Sequence, residues 1–291
     1  MQAQRFDQAA GIRHMTSDLR PVRVFAVTGG KGGIGKTNIA VNLGVSLAQR
    51  GRVTALMDAD MGLANVDILL GLQPKYNLSH VISGERGLDQ ILVEGPSGLK
   101  IVPAASGLRQ MAELSEVEQA GLIRAFSELH LPLEVLIVDT AAGISGPVVN
   151  FARACQEIIV VVCDEPTSLT DAYAFIKLLH RDYGLFRFQI LCNQVRTDGQ
   201  GRVLFEKLYR VTERYLDVTL NYFGAVPNDE AVRKAVQMQR PVVTAFPDSP
   251  AAVAIRSLAR KVECWPMHEV PSGQLEFFVE RMLEYSTGEW A

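Results

Sequence analysis

Lys36 and Thr37 close a glycine-rich stretch, Thr28-Gly29-Gly30-Lys31-Gly32-Gly33-Ile34-Gly35-Lys36-Thr37-Asn38, that fits G-x-x-x-x-G-K-[ST] from Gly30 to Thr37. The glycines let backbone N–H groups turn toward phosphate oxygens, and a helix starting at this point adds the partial positive charge of its N-terminus. In that setting Lys36 is predicted to neutralise the β- and γ-phosphates of a nucleotide, and Thr37 to offer its hydroxyl to Mg²⁺. Two apolar runs end in acids. Val53-Thr54-Ala55-Leu56-Met57-Asp58-Ala59-Asp60 ends in two, and Val135-Leu136-Ile137-Val138-Asp139 in one. Ligands of parallel sheets bind outside the carboxyl ends of the strands, so these acids are expected to face the loop. Asp139 is predicted to hold Mg²⁺ through water. Asp58 reads as a metal-water contact or as a structural acid.

The elements that must position these groups follow from the apolar pattern. Runs at Val22–Val27, Val53–Met57, Leu99–Val102, Val135–Val138, Ile158–Val162, Phe188–Leu191 and Tyr222–Val226 have apolar neighbours rather than strict alternation, as strands covered on both faces do. Helical spacings lie between them, at Ile39, Leu43 and Leu47, at Leu169, Tyr173, Ile176 and Leu179, and at Val203, Leu204, Leu208, Val211 and Tyr215. A further helix is expected from Ala251 to Val262. Strand–helix alternation of this kind predicts a doubly wound, mainly parallel α/β sheet. The chain has 291 residues, of which 48% are hydrophobic and 21% charged, with a net charge of -3. That size buries a core without staples, and the charge argues against a dedicated nucleic-acid binder. No run reaches the ~18 apolar residues of a membrane span, and no secretory signal is read at the start. The four cysteines form no Cys-x-x-Cys pair, which argues against a disulfide framework or structural zinc. A cytoplasmic protein is expected.

Lys31 is a second lysine in a loop that needs one. The stretch resembles the deviant phosphate loop K-G-G-x-G-K-[ST] of the MinD/ParA family, and the resemblance covers Arg23 to about Val262. It implies a P-loop NTPase of the SIMIBI type. It also implies that Lys31 reaches the nucleotide of a second subunit, so that ATP holds a homodimer and hydrolysis releases it. Asp60-Met61-Gly62-Leu63-Ala64-Asn65-Val66-Asp67 is similar to the family's D-x-x-L-x-N-x-D switch I. By that match Asp60 positions or deprotonates the attacking water and stands on the metal side of the site, with Thr37 and Asp139. Thr140-Ala141-Ala142-Gly143 is similar to switch II, departing where relatives often carry proline. Asn193, in Cys192-Asn193-Gln194, matches the family's adenine-binding asparagine. Pro227, Asn228 and Asp229 match the loop on the other side of the base. The N-K-x-D pattern of guanine sites is absent, since Asn193-Gln194-Val195-Arg196 lacks its Asp. ATP is therefore favoured over GTP, and the nucleotide set is Gly30, Lys31, Gly32, Gly33, Ile34, Gly35, Lys36, Thr37 and Asn38 with the four base-side residues. Asp164 to Thr167 and Asp171-Ala172 resemble the family's dimer-facing segment.

Within the family, the nitrogenase iron protein carries a cysteine just after switch II, whereas Thr140 to Val149 of this chain contain none. Cluster scaffolds need a Cys-x-x-Cys pair. Partition ATPases often carry an N-terminal DNA-binding domain, which twenty residues cannot form, so no direct DNA binding is expected. The segment Phe6 to Met15 resembles the D-Q-A-x-x-L-R activator segment of the FleN/FlhG group of flagellar-number regulators, with Ile12 in place of Leu. That resemblance implies that Gln8 supports catalysis by a partner GTPase of the FlhF type, and that the chain acts as an antiactivator of a FleQ-type transcriptional activator. The expected division is an activator-like segment over residues 1–20, an ATPase domain over 21–265, and a linker and amphipathic helix over 266–291. In that helix Leu275, Phe278, Val279, Met282 and Leu283 share a face, while Glu276, Glu280, Arg281 and Glu284 line the other. Its acids oppose an anionic membrane. Docking on the body or on a protein partner, and conditional membrane or polar association, both stay open. A MinD-type division-site positioner is the alternative function, and Lys31 argues against a metabolic P-loop kinase or ligase.

Overall fold

In the computed structural model of the chain, the described residues are 22–60, 65–103, 116–129, 131–265 and 275–287. Among these residues eight strands form one sheet: β1 (Arg23–Thr28), β2 (Thr54–Ala59), β3 (Val93–Glu94), β4 (Lys100–Pro103), β5 (Val135–Thr140), β6 (Glu157–Val162), β7 (Arg187–Val195) and β8 (Thr219–Pro227). Their order is β3-β4-β2-β5-β1-β6-β7-β8. Every pairing is parallel except β3 with β4, which is antiparallel at one edge. The expected doubly wound, mainly parallel sheet is what the chain builds. β1 lies between β5 and β6, and alternate side chains serve opposite layers. Phe25 and Val27 join the core on one face, Val24 and Ala26 the core on the other. This two-sided burial is why the strands read as unbroken apolar runs.

The helices are α1 (Lys36–Gln49), α2 (Asn65–Leu70), α3 (Leu78–Ile82), α4 (Leu88–Ile91), α5 (Glu116–Ser127), α6 (Gly146–Ala154), α7 (Pro166–Tyr183), α8 (Asp198–Tyr215), α9 (Glu230–Gln237), α10 (Val242–Ala245), α11 (Pro250–Glu263) and α12 (Leu275–Thr287). On one face α1 buries Ile39, Leu43 and Leu47 in a cluster with Ile255, Leu258 and Val262 of α11. On the other, Phe175 and Leu179 of α7 and Leu204 and Leu208 of α8 cover β6 and β7. Local chemistry sets the ends. α7 starts at Pro166, whose missing N–H is unneeded in a first turn, and stops at Gly184 in the left-handed region (φ 69). The Ser249 side chain caps α11 by accepting from Ala252 N at 3.3 Å.

The amphipathic helix predicted at the C-terminal end is α12, and it lies on the body. Phe278, Val279, Met282 and Leu283 are buried in one cluster with Leu122 and Phe126 of α5 and Phe151, Ala154 and Cys155 of α6. Burying a side chain of this size contributes ~1.5–3 kcal/mol. The Arg153 guanidinium sits between the rings of Tyr183 and Tyr285, 3.9 and 3.7 Å from their centroids, and ties α6 to the ends of α7 and α12. Among the described residues no helix is long and apolar enough to cross a membrane. The activator-like segment 1–20 with Gln8, the switch I residues 61–64 and most of the linker at 266–274 lie outside the described residues.

Candidate functional site

The phosphate loop joins β1 to α1 at the carboxyl end of the sheet. Geometry requires glycine at Gly30 and Gly35 among others. A Cβ on Gly30 would fall 2.4 Å from Cβ of Asp171, so glycine lets α7 lie directly on the loop. Gly35 has φ 88, and a Cβ there would meet Asn193 Nδ2 at 2.6 Å. Gly35 is also the N-cap of α1 and supplies no side-chain oxygen. The first-turn N–H groups of α1 are thus left for an anion arriving from the loop.

Lys36 is buried at the start of α1, and its Nζ donates to Lys31 O at 3.2 Å. Burial lowers its pKa, while the charges of Asp139 and Asp60 pull it back up. Asp139, at the end of β5, is fully buried, and neither of its carboxylate oxygens makes a hydrogen bond of ordinary geometry. Burial pushes its pKa up to about 8; Thr37 and Lys36, both favouring the anion, offset only part of that. An orphaned buried carboxylate beside a threonine hydroxyl and a lysine fits a divalent cation with phosphate ligands. Asp139 and Thr37 are the groups that would hold it. No cluster of three or more His, Cys, Asp or Glu suited to a metal occurs among the described residues.

Asp58 and Asp60 divide their work. Asp58 is buried, accepting from Asp60 N on Oδ1 and from Val66 N on Oδ2, both at 3.2 Å. Burial raises its pKa to about 6 despite those two bonds. These bonds give it a structural part, fixing the turn after β2 and the start of α2. Asp60 is half-buried, and Asn65 Nδ2 donates to its Oδ2 at 2.9 Å. Two polar residues of the predicted switch I are thus in direct contact.

The base-side residues converge on a cavity of about 230 Å³ whose lining includes Gly35, Asn38, Asn193, Gln194, Pro227, Asn228 and Asp229. Asn193 is buried and its Nδ2 donates to Ile34 O at 2.7 Å, which fastens the phosphate loop to the end of β7. Asp229 lines the cavity, but its carboxylate serves two helices. Oδ1 accepts from Ala231 N of α9 at 2.9 Å, and Oδ2 from Ala251 N of α11 at 3.0 Å. Arg233 also lines this cavity and was missed in the sequence; its signal is the i, i+4 spacing from Asp229 on the following helix.

Lys31 stands at the open side of the loop. It is ion-paired with Glu165 and donates to Thr167 Oγ1 at 3.0 Å, both on its own chain. The hydrogen bond to Glu165 raises its pKa. The segment 164–167, predicted to face a second subunit, is therefore what holds Lys31 within one chain.

Set against known proteins, residues 25–242 match the profile of the CobQ/CobB/MinD/ParA nucleotide binding domain. The chain is 57% identical to the antiactivator FleN of Pseudomonas aeruginosa, over 92% of this chain and 95% of that protein. It is 30% identical to the flagellum site-determining protein YlxH of Helicobacter pylori, over 98% of each. Among solved structures it superposes on the septum site-determining protein MinD of Pyrococcus horikoshii, complexed with Mg-ADP, with a TM-score of 0.63. That match covers 83% of this chain and 96% of the other at 23% identity, a likeness of fold.

Proposed function

The chain belongs to the CobQ/CobB/MinD/ParA nucleotide-binding family, and from that premise we propose that it is an ATP-hydrolysing switch that dimerises on ATP and restrains flagellar number. The observation that carries the nucleotide half is Asp139, buried and unpartnered beside Lys36 and Thr37 at a helix start that has no side-chain cap. The flagellar half rests on 57% identity to FleN and 30% identity to YlxH across nearly the whole chain. The MinD-type positioner draws on MinD relatives 31% and 33% identical over 82% and 76% of the chain, so it is the 57% identity to FleN over 92% that favours the flagellar reading.

In this reading Lys36 exchanges its bond to Lys31 O for the β- and γ-phosphates. Bound Mg²⁺ would neutralise phosphate charge. Asp60, braced by Asn65, orients the attacking water, and orientation with charge stabilisation is most of what phosphoryl transfer asks of a protein. Asn193, Pro227 and Asn228 hold the adenine, and Asp229 keeps their loop in place. Lys31 leaves Glu165 and Thr167 for the nucleotide of a second copy. The homodimer then acts on a FleQ-type transcriptional activator, and the segment 1–20 on an FlhF-type GTPase. α12 stays on the body until that state forms, when its apolar face becomes available to a membrane or the cell pole.

Two experiments test the reading. In light scattering with ATP and Mg²⁺ the wild-type chain should be a dimer and Lys31→Ala a monomer; a dimer in the variant overturns the cross-subunit role. Expressed in P. aeruginosa lacking FleN, the chain should restore the normal flagellar count. Lys36→Ala should bind ATP at least ~100-fold more weakly, as expected for losing two charge-assisted hydrogen bonds, and should not restore it. Restoration by that variant would separate the flagellar role from nucleotide binding.

A further inference from the structure

Among the described residues β8 is the outer strand of its side of the sheet, nine residues long and paired only with β7. A cavity of about 500 Å³ opens along it between α8 and α11, larger than the base pocket. Ala225, Pro227, Val253 and Leu258 make its surface largely apolar. Gly224, with φ 151, a conformation that side chains rarely adopt, lines the groove with no side chain of its own. The backbone of the strand is therefore part of the groove. Two cations stand at its rim. Arg202 uses Nε on Asp198 Oδ2 at 3.2 Å, and Lys261 Nζ donates to Phe223 O at 2.7 Å. The carboxylate of Asp198 is engaged on both oxygens, because the Tyr222 hydroxyl donates to Oδ1 at 3.1 Å. Both cations retain N–H donors, while the single carboxylate has both oxygens occupied.

An edge backbone, an apolar floor and a rim with two positive charges to one negative are complementary to an extended chain carrying apolar and acidic side chains in alternation. We propose that the β8 groove docks an extended acidic–apolar segment of a partner protein. Lys261 covers an edge carbonyl, the device by which a sheet edge is kept from pairing indiscriminately. A carboxylate on the incoming segment draws the ammonium away and uncovers that carbonyl for the partner's backbone. A second copy of this chain does not fit as the occupant, because its own β8 would bring the same cations to the groove.

The test uses the isotope-labelled full chain and the capped hexapeptide Ac-Glu-Val-Glu-Val-Glu-Val-NH₂, with its Lys-for-Glu counterpart as the control. Amide shifts should move along Leu220–Val226 and Val253–Lys261 at about 1 mM of the Glu peptide, the range of a short, weak ligand. Lys261→Glu should weaken that binding at least tenfold. Val253→Asp, at an exposed position, should do the same while nucleotide binding is unchanged, which reports an intact fold. Equal binding of the Lys peptide, shifts confined to the phosphate loop, or no shifts at all would each overturn the proposal.

Discussion

The nucleotide end and the α12 seam are both buried, yet by opposite means. At the nucleotide end, burial works against the groups present. Asp139 has lost water and gained no hydrogen bond, and Lys36 is desolvated near two acids. At the seam, burial satisfies what it covers. Four apolar side chains of α12 fill the surface of α5 and α6, and the Arg153 charge lies between two aromatic faces. A region left electrostatically incomplete is built for something to arrive. A region complete in itself is built to remain closed until an outside free energy opens it.

The largest effect that tests this contrast is expected at the seam. Phe278→Ala should cost about 3–5 kcal/mol, the range for truncating a buried aromatic side chain. If α12 detaches as a unit, hydrogen exchange will show the loss within 275–287 and on α5 and α6, with the melting of β1 unchanged. A uniform loss of protection would make the helix an inseparable part of the core.

A smaller effect sharpens the other side. Burial holds the Asp139 pKa at about 8, above its unfolded value of 3.8. The protonated acid therefore contributes stability that is present at low pH and lost as pH rises through about 8. Cation binding must expel that proton. Apparent Mg²⁺ affinity with a bound nucleotide should rise up to tenfold per pH unit between about pH 6 and 8, or ~1.4 kcal/mol per unit. Calorimetry in buffers of different ionisation enthalpy reads the proton directly; affinity flat across that range would mean that Asp139 does not meet the cation. Asp139→Asn should flatten the pH slope of stability in the empty protein.

The smallest effect is at the aromatic clamp. Arg153→Ala should cost about 1 kcal/mol, the scale of a partly desolvated cation–π contact. It should increase exchange at the end of α12 near Tyr285 more than at Phe278. An equal effect at both positions would show that the clamp does no more than packing.

The phosphate loop, the seven longer strands and α1, α7, α8, α11 and α12 were legible because each rests on a local signal: a motif, an apolar run or a helical spacing. β3 was not, having two residues and a pairing only with β4. Nor were the three contacts that give the site its shape. Asn193 to Ile34, Asp229 to Ala251 and Lys31 to Glu165 join residues far apart in the chain, and no periodicity records such a pairing. The motif match predicts Asn193 as a base ligand and is silent on its hold over the loop. The structural part of Asp58 rests on the directions of Asp60 N and Val66 N, which no motif records.

The central place of β1 has a consequence for how the molecule is made. Phe25 pairs with Ile137 on one side and with Glu157 on the other. β1 thus waits for partners translated more than a hundred residues later, which at roughly 5–20 residues per second is on the order of ten seconds. Through that interval β1 and the glycine loop behind it are an apolar, unpaired segment with nothing to bind. The two neighbours of β1 end at Thr140 and Val162, about halfway along the 291 residues, so the phosphate site is assembled well after its motif is made, and a chain truncated before β6 has the motif without the site.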